Sequence, residues 1–179
     1  MAQTETITLG GGCFWCLEAV YAEMEGVLSA ESGYMGGTVH NPSYRDVSTG
    51  ASGHVEVVRV TFDAAVTPLR EILEVFFAIH DPTSRDRQGN DAGPQYRSVI
   101  FFHNQEQRAE AEKMVRALDA EGVFGRPIVT EIHPASAFYR AEEYHQQYFR
   151  NNPSQPYCAY VVAPKVAKFR RKFAAKARG

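Results

Sequence analysis

The chain has 179 residues, of which 44% are apolar and 22% charged, and its formal net charge is −2. This composition suits one compact domain spanning residues 1–179, and it excludes a strongly basic nucleic-acid binder. No stretch is apolar and long enough to span a bilayer, and the opening residues lack the cationic start and apolar run of a signal peptide. We therefore expect a cytoplasmic monomer that binds neither nucleic acid nor membrane.

The first part of the chain predicts a strand, a helix and a second strand. Polar and apolar residues alternate from Thr4 to Leu9, which is typical of a half-buried strand, and the run ends at three glycines. Apolar residues then recur at intervals of three and four. This spacing predicts a helix that has Cys13 at its N-terminus and ends near Gly26. A weaker strand is predicted over Val27–Tyr34.

The next part predicts a loop, a strand and a helix. Met35–Gly53 is rich in Gly, Ser, Asn and Pro, so it is predicted to be a long surface loop. His54–Phe62 alternates again and predicts a strand. Thr67 is the predicted N-cap of a helix in which Pro68 takes the first position and which ends near His80.

The last part predicts a mixture of loops, strands and helices. Asp81–Pro94 is a polar segment with several Gly and Pro residues and predicts a loop, and Gln95–His103 predicts a strand. Asn104 and Gln107 resemble a reciprocal cap at the start of a helix that ends near Glu121. The remaining predicted elements are a strand over Ile128–Ile132, a helix over Tyr139–Arg150 and a basic C-terminal helix over about 164–177.

The order strand, helix, strand, strand, helix, strand is that of the split βαβ motif. We therefore predict an α+β fold, which is a two-layer sandwich with a ferredoxin-like split βαβ core and extra C-terminal elements. Neither an internal repeat nor a linker divides the sequence, so a single domain is expected.

Cys13 is the leading candidate for reactive chemistry. It follows three glycines and precedes an amphipathic helix, so its sulfur is expected near backbone N–H groups that have no carbonyl partner. A helix N-terminus stabilises a thiolate by about 0.3–1 kcal/mol, which lowers the pKa of the thiol by less than one unit. The position of Cys13 therefore favours a thiolate but does not produce one alone. The alternative is a cysteine that packs beneath the helix. The glycines favour reactivity because they let a ligand approach closely.

Trp15 is expected to face the same cleft as Cys13. It is the only tryptophan of the chain and falls off the apolar stripe of the predicted helix. A tryptophan that stands off the core can contact a ligand such as a thioether or a methyl group. An ordinary, partly buried aromatic residue is the alternative.

Glu56 is the candidate proton donor. On the predicted strand it shares a face with Val58 and Phe62, and this face is expected to be buried. Burial raises the pKa of a carboxyl and keeps its proton available near neutral pH. The alternative is an exposed strand glutamate.

The run Gly12-Cys13-Phe14-Trp15 resembles the active-site motif of the peptide methionine sulfoxide reductase A family. Further blocks are similar to that family in the same order, and together they cover about residues 7–162. These blocks are Gly33-Tyr34 with Gly36-Gly37, Asn41-Pro42-Ser43-Tyr44, Gly53-His54-Val55-Glu56-Val57, His80-Asp81-Pro82-Thr83, Gln95-Tyr96-Arg97-Ser98 and Tyr144-His145-Gln146.

This resemblance implies thiol-dependent reduction of the S epimer of methionine sulfoxide, free or in proteins, with thioredoxin as the reductant. The implied roles are Cys13 as nucleophile, Phe14 and Trp15 around the methyl group, and Glu56, Tyr44 and Tyr96 at the sulfoxide oxygen, with Asp91 nearby. Taken alone, each tyrosine is a half-buried structural residue and the aspartate is a turn residue. The sequence contains no cofactor motif, and neither a cofactor nor a metal is expected.

A second thiol has to resolve the sulfenic acid that Cys13 would carry after the reaction. Cys158 lies where members of the family keep a resolving cysteine, after a segment that is expected to be flexible. Cys16 lies one helical turn, or about 5 Å, from Cys13 and is also within reach of a disulfide. We favour Cys158 because a bond within one turn would distort the helix, and a relay through both thiols stays open.

Three other functions fit parts of the sequence. Cys13 and Cys16 also fit the C-x-x-C pair of a thioredoxin-like disulfide oxidoreductase. Together with Cys158 and His145 they could form a structural zinc site. A catalytically silent protein that binds oxidised methionine is the third alternative, although it would lack the nucleophile that this chain has.

Overall fold

The structure is a computed structural model, and it describes residues 3–178. The strands are β1 (Thr4–Gly10), β2 (Val27–Met35), β3 (Val55–Asp63), β4 (Arg87–Gln88), β5 (Asp91–Ala92), β6 (Val99–Phe102), β7 (Glu131–Pro134) and β8 (Tyr139–Arg140). The α-helices are α1 (Phe14–Ala22), α2 (Tyr44–Ser48), α3 (Leu69–Ile79), α4 (Gln105–Ala120), α5 (Tyr148–Asn151) and α6 (Ala163–Lys172). Short 3₁₀ segments cover Pro94–Tyr96, Glu143–His145 and Ala174–Lys176, and a π-helical turn covers Cys158–Val162.

Six of the strands form one mixed sheet in the order β7-β6-β1-β3-β2-β8. Neighbouring strands pair antiparallel except β6 and β7, which pair parallel. The two short strands β4 and β5 pair separately with each other. A mixed sheet combined with helices confirms the predicted α+β class. Among the described residues, no helix has both the length and the apolar character to cross a bilayer.

The main core lies between the sheet and the helices α1 and α3. Phe14 and Phe76 of these helices pack with Phe62 of β3, and all three side chains are fully buried. A smaller apolar cluster on the other face of the sheet includes Val55 and Val57 of the same strand. Because side chains alternate along β3, Glu56 lies on the face that the helices cover, as the strand pattern predicts.

One of the two predicted helix caps is wrong, and the other forms without its reciprocal bond. Helix α3 begins at Leu69 with Pro68 as its N-cap, and the Thr67 hydroxyl donates to the Glu25 carbonyl at 2.5 Å. The predicted Thr67 cap is therefore wrong, because this hydroxyl is bonded to the turn before β2. At α4 the Asn104 side chain accepts from the Gln107 N–H at 2.9 Å, which confirms the cap. The reciprocal bond of Gln107 goes to the N–H of His103 instead.

The helix predicted over Tyr139–Arg150 is wrong. This segment forms β8, a 3₁₀ turn and the short helix α5. Gln147 has a φ of +53°, in the left-handed region, which interrupts a continuous helix. Pairing of Tyr139 with Tyr34 of β2 holds the start of the segment in the sheet, so a tertiary contact overrides the local helical pattern.

Several predicted boundaries of helices, strands and loops also differ from those in the structure. The loop predicted over Met35–Gly53 contains α2, whose cap Ser43 accepts from the N–H of Asp46 at 3.1 Å. The strand predicted over Gln95–His103 is shorter because its first residues form a 3₁₀ turn. The strand predicted over Ile128–Ile132 is replaced by β7, which begins three residues later than predicted. The basic C-terminal segment forms α6, which packs against α1 and α3.

Candidate active site

Cys13 is the N-cap residue of α1, and its side chain is 8% exposed. The glycines before Cys13 pack closely against residues from other segments of the chain. Gly12 has a φ of +89° and donates its N–H to the Tyr96 carbonyl at 3.1 Å. A Cβ atom on Gly11 would lie 2.8 Å from Cδ2 of His80, which is closer than real contacts allow. The glycine run therefore lets the chain turn into α1 while it stays packed on the loop that carries Tyr96.

The Cys13 thiol is protonated rather than ionised. Burial raises its pKa well above the ordinary value, and the nearby Glu56 and Cys16 raise it further. The N–H of Trp15 and the hydroxyl of Tyr157 act in the opposite direction. The helix end favours the thiolate as expected, through the Trp15 N–H, but desolvation outweighs this effect of less than one pKa unit.

Glu56 lies beside Cys13 and is 1% exposed. Its Oε1 accepts the Phe14 N–H at 3.1 Å, whereas its buried Oε2 has no hydrogen-bond partner within residues 3–178. Burial raises the Glu56 pKa to about 8, the Asp91 charge adds to this, and the Phe14 N–H opposes it. A protonated carboxyl with one free oxygen is therefore available at neutral pH.

Aromatic side chains line the space next to Cys13. The fully buried Phe14 ring lies 5.7 Å from the ring of Tyr34 and 6.3 Å from that of Tyr44. Trp15 is partly exposed and stacks on Tyr148, with the ring centroids 3.9 Å apart and an interplanar angle of 7°. Trp15 thus packs against the main core while part of its side chain stays exposed.

Tyr44 and Tyr96 are half-buried and lie close to the same carboxyl. Burial raises the Tyr44 pKa to about 12, and the charges of Glu56 and Cys13 contribute. The pKa of Tyr96 is also raised by burial first and by Glu56 next. Both phenols therefore remain protonated and can donate hydrogen bonds into the site.

Tyr157 is a site residue that sequence reasoning missed. Its hydroxyl donates its one proton to Oδ2 of Asp91 at 2.5 Å, and it also lowers the pKa values of the nearby Cys13 and Cys16 thiols. Asp91 is thus held at the site by a partner from the C-terminal segment. The available signal was the position of Tyr157 directly before Cys158, the candidate resolving cysteine.

His145 was also missed as a site residue. Its Nδ1 accepts the Trp15 Nε1–H at 3.1 Å, and its ring centroid lies 4.5 Å from that of Tyr44. Its buried Nε2 finds no hydrogen-bond partner in the described part of the chain. Because Nδ1 is an acceptor, the neutral ring carries its proton on Nε2 and can donate from there. A continuous helix over this segment would have placed the ring elsewhere.

Glu142 connects the site to the sheet. Its Oε2 accepts the Tyr44 N–H at 2.9 Å, and its Oε1 accepts the Tyr34 hydroxyl at 2.9 Å. The carboxylate therefore holds the start of α2 against β2, which places the Tyr44 ring over the site.

All three cysteines are free and buried. Burial raises the Cys16 pKa to about 11, while the charge of Lys165 and the hydroxyl of Tyr157 oppose this rise. Cys158 is 0% exposed and begins the π-helical turn that precedes α6.

Within residues 3–178 no group of three or more His, Cys, Asp or Glu side chains is arranged to hold a metal ion. The three cysteines and His145 therefore do not form the zinc site considered from the sequence.

A family model described as peptide methionine sulfoxide reductase matches residues 5–177. The chain belongs to this family. The peptide methionine sulfoxide reductase MsrA of Ralstonia nicotianae is 59% identical over 174 residues, which cover 95% of this chain and 91% of that relative. Family membership argues against the thioredoxin-like oxidoreductase and against a silent binding protein.

Solved structures agree with this assignment. Reduced Mxr1 from Saccharomyces cerevisiae superposes with a TM-score of 0.82 at 35% identity and covers 91% of both chains. Mxr1 in complex with Trx2 matches with a TM-score of 0.58 at 29% identity, over 82% of this chain and 85% of that chain.

Proposed function

We propose that this chain reduces the S epimer of methionine sulfoxide, free or in proteins, to methionine and so repairs oxidised proteins. The observation that carries this proposal is the pairing of Cys13 with Glu56, whose buried Oε2 has no partner within the described residues. A nucleophilic sulfur beside a neutral acid is what sulfoxide reduction needs, because the S–O bond cannot break by expelling oxide.

In the first step the Cys13 sulfur attacks the sulfoxide sulfur while Glu56 gives its proton to the oxygen. The oxygen then moves to the Cys13 sulfur: a bond forms between them, the S–O bond of the sulfoxide and the bond between the two sulfurs break, and methionine leaves while Cys13 carries a sulfenic acid. The methionine sulfur gains two electrons and the Cys13 sulfur loses two. The thiol proton replaces the one that Glu56 gave, so this step consumes no net proton. Since Cys13 begins as a thiol, it has to lose its proton as the new bond forms.

The neighbouring residues orient the sulfoxide. Phe14 and Trp15 form the apolar walls that suit the methyl group. The hydroxyls of Tyr44 and Tyr96 would stabilise the developing charge on the oxygen together with Glu56. Asp91 lies at the rim, where its bond to Tyr157 holds the C-terminal segment next to Cys13.

In the second step a thiol attacks the sulfenic acid, which forms a disulfide and releases water. We favour Cys158 for this step. Tyr157, the residue before Cys158, lowers the pKa of the Cys13 thiol from nearby, and a rearrangement of the π-helical turn would bring Cys158 to that thiol. A Cys13–Cys16 bond would instead lie within one turn of α1. A relay that begins at Cys16 is the alternative.

In the third step a thioredoxin dithiol reduces the disulfide and becomes oxidised itself. The similarity to Mxr1 in complex with Trx2 supports this partner. Two thiols are returned to the chain, and the cycle is complete without a cofactor.

We also infer the finer architecture of the molecule. The order β6-β1-β3-β2, with α1 after β1 and α3 after β3, supports a ferredoxin-like split βαβ core within a single catalytic domain. The composition and charge support a cytoplasmic monomer.

The first test uses the unaltered protein. With dithiothreitol it is expected to convert S-methionine sulfoxide to methionine and to leave the R epimer unchanged. Because the residues around the methyl group and the proton donor have fixed positions, they fit only one configuration at the sulfoxide sulfur. Chiral chromatography of the products measures both. Without reductant, each chain should release one methionine. Failure to form methionine from the S epimer would disprove the proposed function.

The second test identifies the resolving thiol. After one turnover without reductant, peptide mapping is expected to find Cys13 joined to Cys158 and the Cys16 thiol free. The Cys158→Ser variant should then still release one methionine but turn over slowly with thioredoxin, whereas Cys16→Ser should recycle within about twofold of the wild type. A Cys13–Cys16 disulfide with a free Cys158 would contradict this order.

A further inference from the structure

Glu18 is a buried carboxyl for which the proposed reaction has no use. It lies on α1, the helix that begins after Cys13, and is 2% exposed. Its Oε1 accepts the Gln147 N–H at 2.9 Å and the Ser32 hydroxyl at 3.4 Å. One carboxyl oxygen therefore connects α1 to β2 and to the segment between β8 and α5.

The bond to Gln147 is made at an unusual point of the backbone. Gln147 has a φ of +53°, a conformation that side chains other than glycine adopt at a cost and keep only when their surroundings hold it. His145 lies two residues before it, and Tyr148 directly follows it. These two residues contact Trp15, His145 through the 3.1 Å bond to Nε1 and Tyr148 through the 3.9 Å stack.

The residue before Gln147 is attached separately. Gln146 accepts the Ser32 N–H at 3.0 Å and donates to the carbonyls of Ser32 and Ala141 at 2.9 and 3.0 Å. These bonds fix the segment to β2 but not to α1. Among the described residues, the Glu18 bond is the hydrogen bond that ties the backbone between His145 and Tyr148 to the helix that carries Trp15.

We propose that Glu18 is a positioning residue for the methyl-binding wall: by holding the Gln147 backbone to α1, it keeps His145 and Tyr148 against Trp15. This inference rests on the proposed function, which assigns Trp15 to the methyl group. It adds a residue that contacts neither the substrate nor the reacting sulfur.

Ionisation of Glu18 changes the strength of this attachment. Burial raises its pKa to about 7, while the bonds from Gln147 and Ser32 and the charge of Arg140 oppose the rise. The other charged groups that line the adjoining cavity of about 590 Å³ are Glu23, Arg150 and Arg178. A carboxylate accepts a stronger hydrogen bond than a neutral acid, so the attachment is tighter above pH 7 and weaker below it.

Trp15 reports on this attachment directly because it is the only tryptophan of the chain. The emission of the wild type is expected to change with a midpoint near pH 7. Glu18→Gln, a neutral isostere, should lack this transition. Glu23→Gln is the control, because it removes another carboxyl that lines the same cavity, together with its ion pair to Arg170, but leaves Gln147 bonded, and it should keep the transition. The pKa of His145 is lowered by burial, so its own transition lies below pH 6.5 and should persist in both variants.

The kinetic result separates positioning from a general loss of structure. At pH 8 the KM of Glu18→Gln for S-methionine sulfoxide should rise by about fivefold, since a charge-assisted bond becomes a neutral one, while kcat stays within about twofold. The wild-type KM should rise in the same direction as pH falls through 7. Glu23→Gln should match the wild type at every pH.

Other outcomes overturn the inference. A transition near pH 7 that survives in Glu18→Gln, or a fall in kcat without a change in KM, would show that Glu18 does not position the wall. If Glu18→Gln does not fold, the wild type alone tests the proposal. A tryptophan emission that does not change between pH 6.5 and 8 would reject it. If the wild type fails to reduce the sulfoxide at all, the proposed function fails, and the emission measurements still test the Glu18 attachment.

Discussion

Replacement of Cys13 by serine is expected to lower the rate of S-methionine sulfoxide reduction by at least about 10⁴-fold, with either dithiothreitol or thioredoxin as reductant. A hydroxyl is a much weaker nucleophile than a thiol, and serine cannot form the sulfenic acid through which the oxygen leaves. The serine side chain is close in size and the position is 8% exposed, so the variant should fold. Methionine release measures the effect.

The other cysteines supply the controls for this variant. Cys16→Ser and Cys158→Ser both retain Cys13, so each should release one methionine per chain without reductant, whereas Cys13→Ser should release none. In the double variant Cys16→Ser, Cys158→Ser no thiol is left to resolve the sulfenic acid. A reagent that traps sulfenic acids should then label Cys13. Turnover by Cys13→Ser at more than a few per cent of the wild-type rate would remove this residue from the reaction.

The sequence predicts those parts of the site that depend on local pattern. Cys13 is the N-cap of α1, where a glycine run meets a run of apolar helical residues, and Glu56 is buried because it lies on the face of β3 that the helices cover. Both positions follow from neighbours along the chain. The amphipathic pattern predicted for α1 is wrong, because seven of its nine residues are buried, and Trp15 is one of the two that are not.

The parts that the sequence does not predict depend on contacts between distant segments. His145 and Tyr148 reach Trp15 because β8 joins the sheet and Gln147 adopts a left-handed conformation, and neither feature has a clear local signature. Tyr157 meets Asp91 across 66 positions of the chain. Local pattern also contains no measure of how deeply the Cys13 sulfur is buried, so it does not predict that the pKa of this thiol is raised.

Replacement of Glu56 by glutamine is expected to lower kcat/KM by about 10²- to 10⁴-fold. The amide oxygen can still accept the Phe14 N–H, so the fold should persist, but the amide has no acidic proton to give to the sulfoxide oxygen. The loss should appear in kcat more than in KM, because the proton is needed in the transition state. Glu106→Gln, which removes an exposed carboxyl from the first turn of α4, is the control and should match the wild type.

The pH dependence of kcat/KM tests whether the proton donor that is lost in Glu56→Gln is the Glu56 carboxyl. Burial raises the Glu56 pKa to about 8, so wild-type kcat/KM should fall as pH rises through 8 and the carboxyl loses its proton. Glu56→Gln should lack this fall. The Cys13 pKa is raised as well, which shifts ionisation of its thiol to high pH. If Glu56→Gln keeps both the wild-type rate and the fall near pH 8, another group supplies the proton.

Stability provides an independent measure of the same pKa. The folded chain holds the Glu56 proton up to about pH 8, whereas the unfolded chain releases it near 4.5. Because the folded state binds more protons in this window, the unfolding free energy of the wild type falls as pH rises, relative to that of Glu56→Gln, by on the order of 5 kcal/mol in total. Denaturant titrations at pH 5 and pH 8 measure this difference. A constant difference would mean that Glu56 is already ionised at neutral pH and cannot serve as the acid.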